Sequence, residues 1–384
     1  MIVSERRKKC IAEFRKTDLD GLLFASGADL QYLTESTSYF WQRYCFSLDA
    51  PVAGSRIIPE CMVYMNRDGE TTVLTIPSKK DYFDTTKNTV IVSYMDQFED
   101  ELRNIVDGKR IGIGRDCDEW FVRTLREVDP EIVTESAETL FDDIRRIKDE
   151  KEIAQMRKLA RFTDDAVMYV VKHMKEGMTM AECERGIVDY GLTHGAQDLS
   201  FPPTCGFKTR NTENAKSIEP FEPDRKLVPG TMIAFDIGYM DQGYCSDWGR
   251  TVYFGKAPEL VRNGYAALHA AQCHMISQIK PGVTRFGDLY SHICDKAEVL
   301  GYYHYLRFKR EDRGGNGHHI GSEVHEVPFL TYDSDLILQP GMIFCSEPKM
   351  FFPNEGYMRV EDMVLVTEDG AESLTCFPRD LFEI

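Results

Sequence analysis

Four acidic residues stand at the end of apolar runs or inside them, where surface acids are uncommon. Asp236 follows Met-Ile-Ala-Phe in MIAFDIGYMDQGYCSDWGRTVYFG (232–255), and Asp247 lies in the second β-type run of that segment. Glu347 closes the apolar part of PGMIFCSEPKMFF (340–352), and Glu361, next to Asp362, is embedded in YMRVEDMVLVTEDG (357–370). A buried carboxylate without a cation costs several kcal/mol or takes up a proton. One such acid is explained by a salt bridge, to Arg250 or Arg359 for instance, and Asp241 by the turn that holds it. Three such runs, together with the glycine-flanked His318 of GHHIGSEVHEVPFL (317–330), read as one shared site. Two Asp, two Glu and one His make a mostly oxygen donor set that suits hard or borderline divalent ions such as Mn2+. Five such groups, some bridging, suffice for two ions about 3.5–4 Å apart, an arrangement suited to activating water.

The elements that must hold these groups are β-type. The two runs in 232–255 flank the turn Met240-Asp241-Gln242-Gly243 and are expected to pair across it, bringing the region of Asp236 close to that of Asp247. From residue 230 onward strands dominate wherever a chemical residue occurs. Upstream, IRRIKDEKEIAQMRKLARFTDDAVMYVVKHM (144–174) keeps Ile153, Met156, Leu159 and Ala160 on one helical face, and a second helix starts near Thr179. The first third alternates strands and helices: a helix through Arg15 capped by Ser4, a buried strand at 20–26 and a hairpin at 62–76 around Asp68-Gly69. Further strands are expected at 89–94 and 110–114, with helical patterns at 97–106 and 119–128. The pattern predicts two domains divided near residue 145, the default for a chain of 384 residues.

Composition narrows the partners. A formal net charge of −17 argues against nucleic acid or an anionic membrane, and no apolar run is long enough to span a bilayer. Eleven cysteines without a CxxC pair suit reduced thiols in a cytoplasmic protein.

In order and spacing, Asp236, Asp247, His318, Glu347 and Glu361 resemble the pita-bread metallohydrolases: prolidase (Xaa-Pro dipeptidase), aminopeptidase P, methionine aminopeptidase and the related creatinase. FDIGYMDQGYCSDWGRT resembles their paired-aspartate element, GHHIGSEVHEVP their histidine loop, and SEP and RVED their two glutamate elements. ADLQYLT (28–34), RRIKDEKEIAQMRKLA (145–160) and DRKLVPGTMIAFDIG (224–238) extend the likeness over nearly the whole chain. The resemblance implies an α/β N-terminal domain (1–145) and an α+β pita-bread catalytic domain (146–384). It implies a homodimer and two divalent ions, Mn2+ first and Co2+, Zn2+ or Fe2+ as compatible substitutes, with Asp247 and Glu361 bridging. The implied reaction is hydrolysis of a C–N amide bond, in an Xaa-Pro dipeptide or another small peptide or amide. Glu347 would double as general base, His325 would steady the carbonyl oxygen, and Arg359 would brace the glutamates.

Two departures stand out. His319 occupies a position where these proteins have glycine, so it narrows the pocket, touches substrate or turns outward. The additional active-site histidine that the peptidases place shortly before the first aspartate is missing, since no histidine lies between His194 and His269. Glu219 or a neighbour is left to fill that place. TSYFWQRYCF (37–46) either buries the edge of the N-terminal domain or, through Tyr39 and Trp41, walls a substrate site. The departures keep an osmolyte-type reaction open, as in creatinase, ectoine hydrolase or a dimethylsulfoniopropionate lyase. The complete set of five ligands weighs against the metal-free members and against a non-catalytic binding protein.

Overall fold

The computed structural model describes residues 4–39, 41, 52–53, 56–57, 60–93, 97–209, 222–312, 315–352 and 355–384. The chain forms two units, Met1–Arg145 and Arg146–Ile384.

In the first unit, α1 (Glu5–Phe14) begins where the Ser4 hydroxyl accepts a hydrogen bond from the Arg7 amide at 3.1 Å. The strand β1 (Gly21–Ala25) is apolar at nearly every position because both its faces are covered. Leu22 and Phe24 join one buried cluster and Leu23 joins another. Helix α2 (Ala28–Thr34) follows, and then the hairpin of β2 (Cys61–Asn66) and β3 (Thr71–Thr75). Its turn is closed by the Asn66 side chain, which accepts from the amides of Asp68 and Glu70, and by Gly69 at φ +86°. After β4 (Thr89–Val92) come α3 (Phe98–Ile105), β5 (Arg110–Ile113), α4 (Glu119–Val128) and β6 (Val133–Ser136). The six strands form one sheet in the order β4-β3-β2-β1-β5-β6.

The second unit opens with α5 (Glu150–His173), shorter than the helix expected over 144–174. Asp149 caps it reciprocally with Glu152, while Ile147 is held in a β-bridge to Met342, so the sequence before Asp149 cannot join the helix. Helix α6 (Met180–His194) carries the same kind of cap through Thr179 and Glu182. The strands β7 (Thr204–Thr209), β8 (Thr231–Ile237) and β9 (Trp248–Phe254) precede two helices, α7 (Glu259–Ser277) and α8 (Phe286–Val299). Those helices were missing from the strand-dominated expectation, although Val261, Tyr265, Leu268 and Met275 keep a helical period. Then come β10 (Gly317–His319), β11 (Glu326–Phe329), β12 (Ile343–Ser346), β13 (Lys349–Phe352) and β14 (Gly356–Val366).

Among the described residues these strands belong to one sheet whose main path runs β7-β8-β9-β14-β12-β10-β11, with β13 paired to β14. Ile233, Phe235 and Ile237 of β8 pack with Val167 and Val170 of α5 and Ile187 of α6. Leu268 of α7 and Leu289 and Ile293 of α8 pack with Phe344 and Val360. Each fully buried side chain of this size contributes about 1.5–3 kcal/mol. The sheet is thus anchored by two helix pairs, and its polar residues can be held without being the source of stability. Among the described residues no helix is long and apolar enough to cross a membrane.

Candidate metal centre

The hairpin expected in 232–255 forms, with its turn one residue later than the sequence suggests. Gln242 and Gly243 both take positive φ (+49° and +78°), the geometry of a tight two-residue hairpin turn. Asp241 belongs to the turn and pairs with Lys158 at 2.8 Å, so it has no part in the chemistry. Across the hairpin, Asp236 faces Gly249, and Gly249 faces Glu361 on β14. The two acids therefore stand on one sheet face with a glycine between them. A side chain there would collide with Arg359 Cδ at 2.3 Å and Glu361 Oε2 at 2.9 Å, so Gly249 provides the space these groups occupy. Asp362, one residue on, points the other way and forms a buried pair with Arg250. The salt-bridge reading thus accounts fully for Asp362, whereas Glu361 reaches Arg359 only at 4.0 Å.

His318 enters from β10, where Gly317 is required because a Cβ would lie 1.9 Å from the Cys345 carbonyl oxygen. Its Nδ1 pairs with the His319 carbonyl at 3.1 Å. That contact aims Nε2 at Asp247 Oδ2 (3.3 Å) and towards Glu361 Oε1 (4.0 Å). Glu347 follows β12, its amide donating to the Asn316 carbonyl at 2.8 Å and its carboxylate held by the Lys349 ammonium. Arg359 pairs directly with Asp236, and its Nε lies 4.0 Å from Glu361. It therefore braces an aspartate first, where bracing of the glutamates was expected. His325 stands at the rim, exposed on one side, its ring 4.4 Å from that of His318.

All five acid and histidine positions singled out in the sequence thus converge, with His325 and Arg359 beside them. His319 does not. Strand alternation turns its fully buried ring away, against Phe286 at 4.8 Å and Phe344 at 6.2 Å. It is shut off from solvent. Tyr39 is equally remote from a substrate role in its own surroundings: it is a core residue of the first unit, its hydroxyl 2.8 Å from Ser26 Oγ and its ring against Phe83. Trp41 packs half-buried on the same cluster. The rest of the aromatic stretch (40 and 42–46) and Glu219 lie outside the described residues. Two groups at the centre went unmarked in the sequence, Cys345 and Lys349. Each is two residues from Glu347, with nothing in its local sequence to mark it.

The donor chemistry fits divalent ions. Asp247, His318, Cys345 and Glu361 each offer one ligand atom, and these atoms all lie within 4.8 Å of one another. Asp247 Oδ1 is buried without a hydrogen-bond partner. Four carboxylates (Asp236, Asp247, Glu347, Glu361) meet two fixed cations (Arg359, Lys349), an excess of two negative charges in a largely buried space. Burial, reinforced by Asp247, Glu347 and Asp236, lifts the Glu361 carboxyl well above the usual carboxylate range. Burial also raises Asp247, with Asp236 and Glu347 adding to the effect. Divalent cations would relieve this excess where protons otherwise must.

This charge excess makes the metal-free protein pH-sensitive in a defined sense. The folded state retains protons on Glu361 and Asp247 that the unfolded chain gives up at ordinary carboxylate pKa values. The contribution of these two carboxyls to stability therefore falls as pH rises above about 4. Glu361→Gln should remove part of that slope. Thermal scans of chelator-treated protein should place the variant above wild type at about pH 8, with the gap closing towards about pH 5. A pH-independent gap would contradict the assignment of uncompensated charge.

Comparison with known proteins agrees with this geometry. Residues 154–368 match the sequence profile of metallopeptidase family M24. The chain belongs to metallopeptidase family M24. An Xaa-Pro dipeptidase of Pyrococcus horikoshii is 26% identical over 385 residues, covering 99% of both chains. The solved prolidase from the same species superposes with a TM-score of 0.80 at 24% identity, covering 99% of this chain and 100% of that one. An X-Pro aminopeptidase of Thermotoga maritima gives a TM-score of 0.78 at 21% identity, covering 97% and 100%. This family M24 chain has the fold its sequence implied, an α/β N-terminal unit followed by an α+β pita-bread unit. As a metallopeptidase it depends on divalent metal ions.

Proposed function

We propose that this metallopeptidase hydrolyses the amide bond preceding proline in Xaa-Pro dipeptides or short peptides. We place two divalent ions, Mn2+ first, on Asp236, Asp247, His318, Glu347 and Glu361. The observation that carries this reading is the convergence of those five residues around an excess of buried negative charge. The Xaa-Pro dipeptidase relative, matched end to end, supports the substrate class. When bound, the ions would supply Lewis acidity, lowering the pKa of a water molecule and polarising the scissile carbonyl.

The chain's own groups complete the reaction. Burial alone would raise the Glu347 carboxyl, but Lys349, Arg359 and His318 outweigh it and hold it below the usual range. It is thus ionised and able to take the proton of the attacking water. The water oxygen bonds to the carbonyl carbon, the C–N bond breaks, and Glu347 returns the proton to the leaving nitrogen. Loss of water on its inner side and the adjacent His318 push the His325 pKa down. A neutral His325 can donate an N–H to the carbonyl oxygen as charge develops there. Arg359 fixes Asp236 in place. We assign residues 1–145 as the lid and dimerisation domain of a cytoplasmic homodimer.

The test is release of free proline from a panel of Xaa-Pro dipeptides by Mn2+-loaded protein, and of the N-terminal residue from longer Xaa-Pro-Xaa peptides. Turnover of at least one member is expected. No turnover with ions bound would overturn the substrate class and favour a small osmolyte-like amide.

Lys349 has a separate, measurable consequence. Its ammonium competes with any cation for Glu347, and like charges a few ångströms apart in a partly buried site repel by several kcal/mol before relaxation. Lys349→Met should tighten the weaker of two Mn2+ binding steps by roughly tenfold or more. Titration calorimetry that finds it unchanged or weaker would show that Lys349 does not oppose the second ion.

A further inference from the structure

We propose that Cys345 supplies a thiolate to the divalent-ion centre, completing with Asp247, His318 and Glu361 a four-ligand set that favours Zn2+ or Co2+ over Mn2+. This rests on the metal-centre reading above, adds a ligand of a different chemical kind, and confines the Mn2+-first assignment to the other ion.

Cys345 is the direct cross-strand partner of His318 on β10, so the two side chains leave the sheet on the same face. It is fully buried. Its Sγ belongs to the group of four ligand atoms that lie within 4.8 Å of one another. Around a tetrahedral ion with bonds of about 2.0–2.3 Å, ligand atoms lie about 3.3–3.7 Å apart. The four atoms, all within 4.8 Å of one another, would therefore draw in by up to about an ångström as they close on an ion. Asp247, itself buried, keeps Oδ1 without a hydrogen-bond partner in the same cluster, which marks a place for a cation independently of the thiol.

The chemistry of the set decides its preference. Four carboxylates and an imidazole alone suit Mn2+, whereas a thiolate shifts the selection towards softer, borderline ions. On binding, the S–H bond breaks, the sulfur–metal bond forms and the proton leaves to bulk water. Asp236, held by Arg359, and Glu347, held by Lys349, remain beside this set for the other ion. The centre would thus be unequal, with one half of mixed sulfur, nitrogen and oxygen donors and one half of oxygen donors.

The experiment is an anaerobic titration of chelator-stripped, reduced protein with Co2+, read by optical absorption. A sulfur-to-cobalt charge-transfer band should grow in the near ultraviolet and saturate with one equivalent. Cys345→Ser should abolish the band, and Cys294→Ser, on α8, should keep it. X-ray absorption at the zinc edge of Zn2+-loaded wild type should show one sulfur neighbour at about 2.3 Å, a readout that needs no variant to fold. Co2+ or Zn2+ bound without a sulfur neighbour, or a band that survives Cys345→Ser, would overturn the thiolate and leave the oxygen-ligand centre standing. No binding of either ion by folded wild type would overturn the thiolate and the metal-centre reading together.

Discussion

Glu347→Gln is expected to lower kcat by roughly 10²–10⁴-fold at saturating metal, the span usual for loss of a positioned acid–base group. The amide matches the carboxylate in shape and can still accept from Lys349, whose ammonium contacts Glu347. The backbone bond from Glu347 to the Asn316 carbonyl, at 2.8 Å, does not involve the side chain. What the variant loses is the capacity to take a proton from water and pass it to the leaving nitrogen. The same group is a proposed metal ligand, so the assay must be run with metal titrated to saturation. A shift confined to the metal requirement, with kcat restored by excess Mn2+, would leave Glu347 a ligand and sink it as the base.

Asp247→Asn is expected to act in opposite directions on the loaded and the metal-free protein. Asp247 is buried, faces His318 Nε2 at 3.3 Å and carries an oxygen with no hydrogen-bond partner. Removing its charge takes a ligand from the centre. Changes to groups that merely support a ligand cost about 10–100-fold in affinity, so loss of the ligand itself should exceed about 100-fold. In the metal-free protein the same change removes a carboxyl that must otherwise hold a proton or a poorly compensated charge, and should raise the melting temperature at neutral pH. Parallel thermal scans with and without Mn2+ read both signs at once. A variant destabilised in both states would mean that Asp247 is held by hydrogen bonding within the protein and does not wait for a cation.

The legible part of this chain was the part where sequence conflicts with local physics. Asp236, Asp247, Glu347 and Glu361 were visible because acids do not belong in runs such as Met-Ile-Ala-Phe or Arg-Val-Glu-Asp-Met-Val, and the fold does bring them together. The sheet alternation that sends Glu361 to the site and Asp362 to Arg250 follows from the period of two, but which parity faces inward required the neighbouring strands. Cys345 and Lys349 were illegible for the opposite reason. A cysteine in an apolar strand and a lysine after a proline are unremarkable locally, and only β10 crossing at His318 and the return of Lys349 onto Glu347 give them meaning. His319 was ambiguous in the sequence, because a histidine beside a candidate ligand invites a polar role. In a strand, adjacent residues face opposite sides, and Phe286 and Phe344 enclose its ring. Helices α7 and α8 carry an ordinary 3.6-residue period in which no residue conflicts with its surroundings, so nothing in their sequence points to the site.

The most direct test of the centre is the number of Mn2+ ions retained by chelator-stripped, reloaded wild-type protein after removal of excess metal, measured by elemental mass spectrometry on a sample shown to be folded. Two retained ions per chain are expected, given five convergent ligands and buried negative charge in excess of the fixed cations. A folded protein that retains none would contradict the proposal that these carboxylates and His318 form a metal centre.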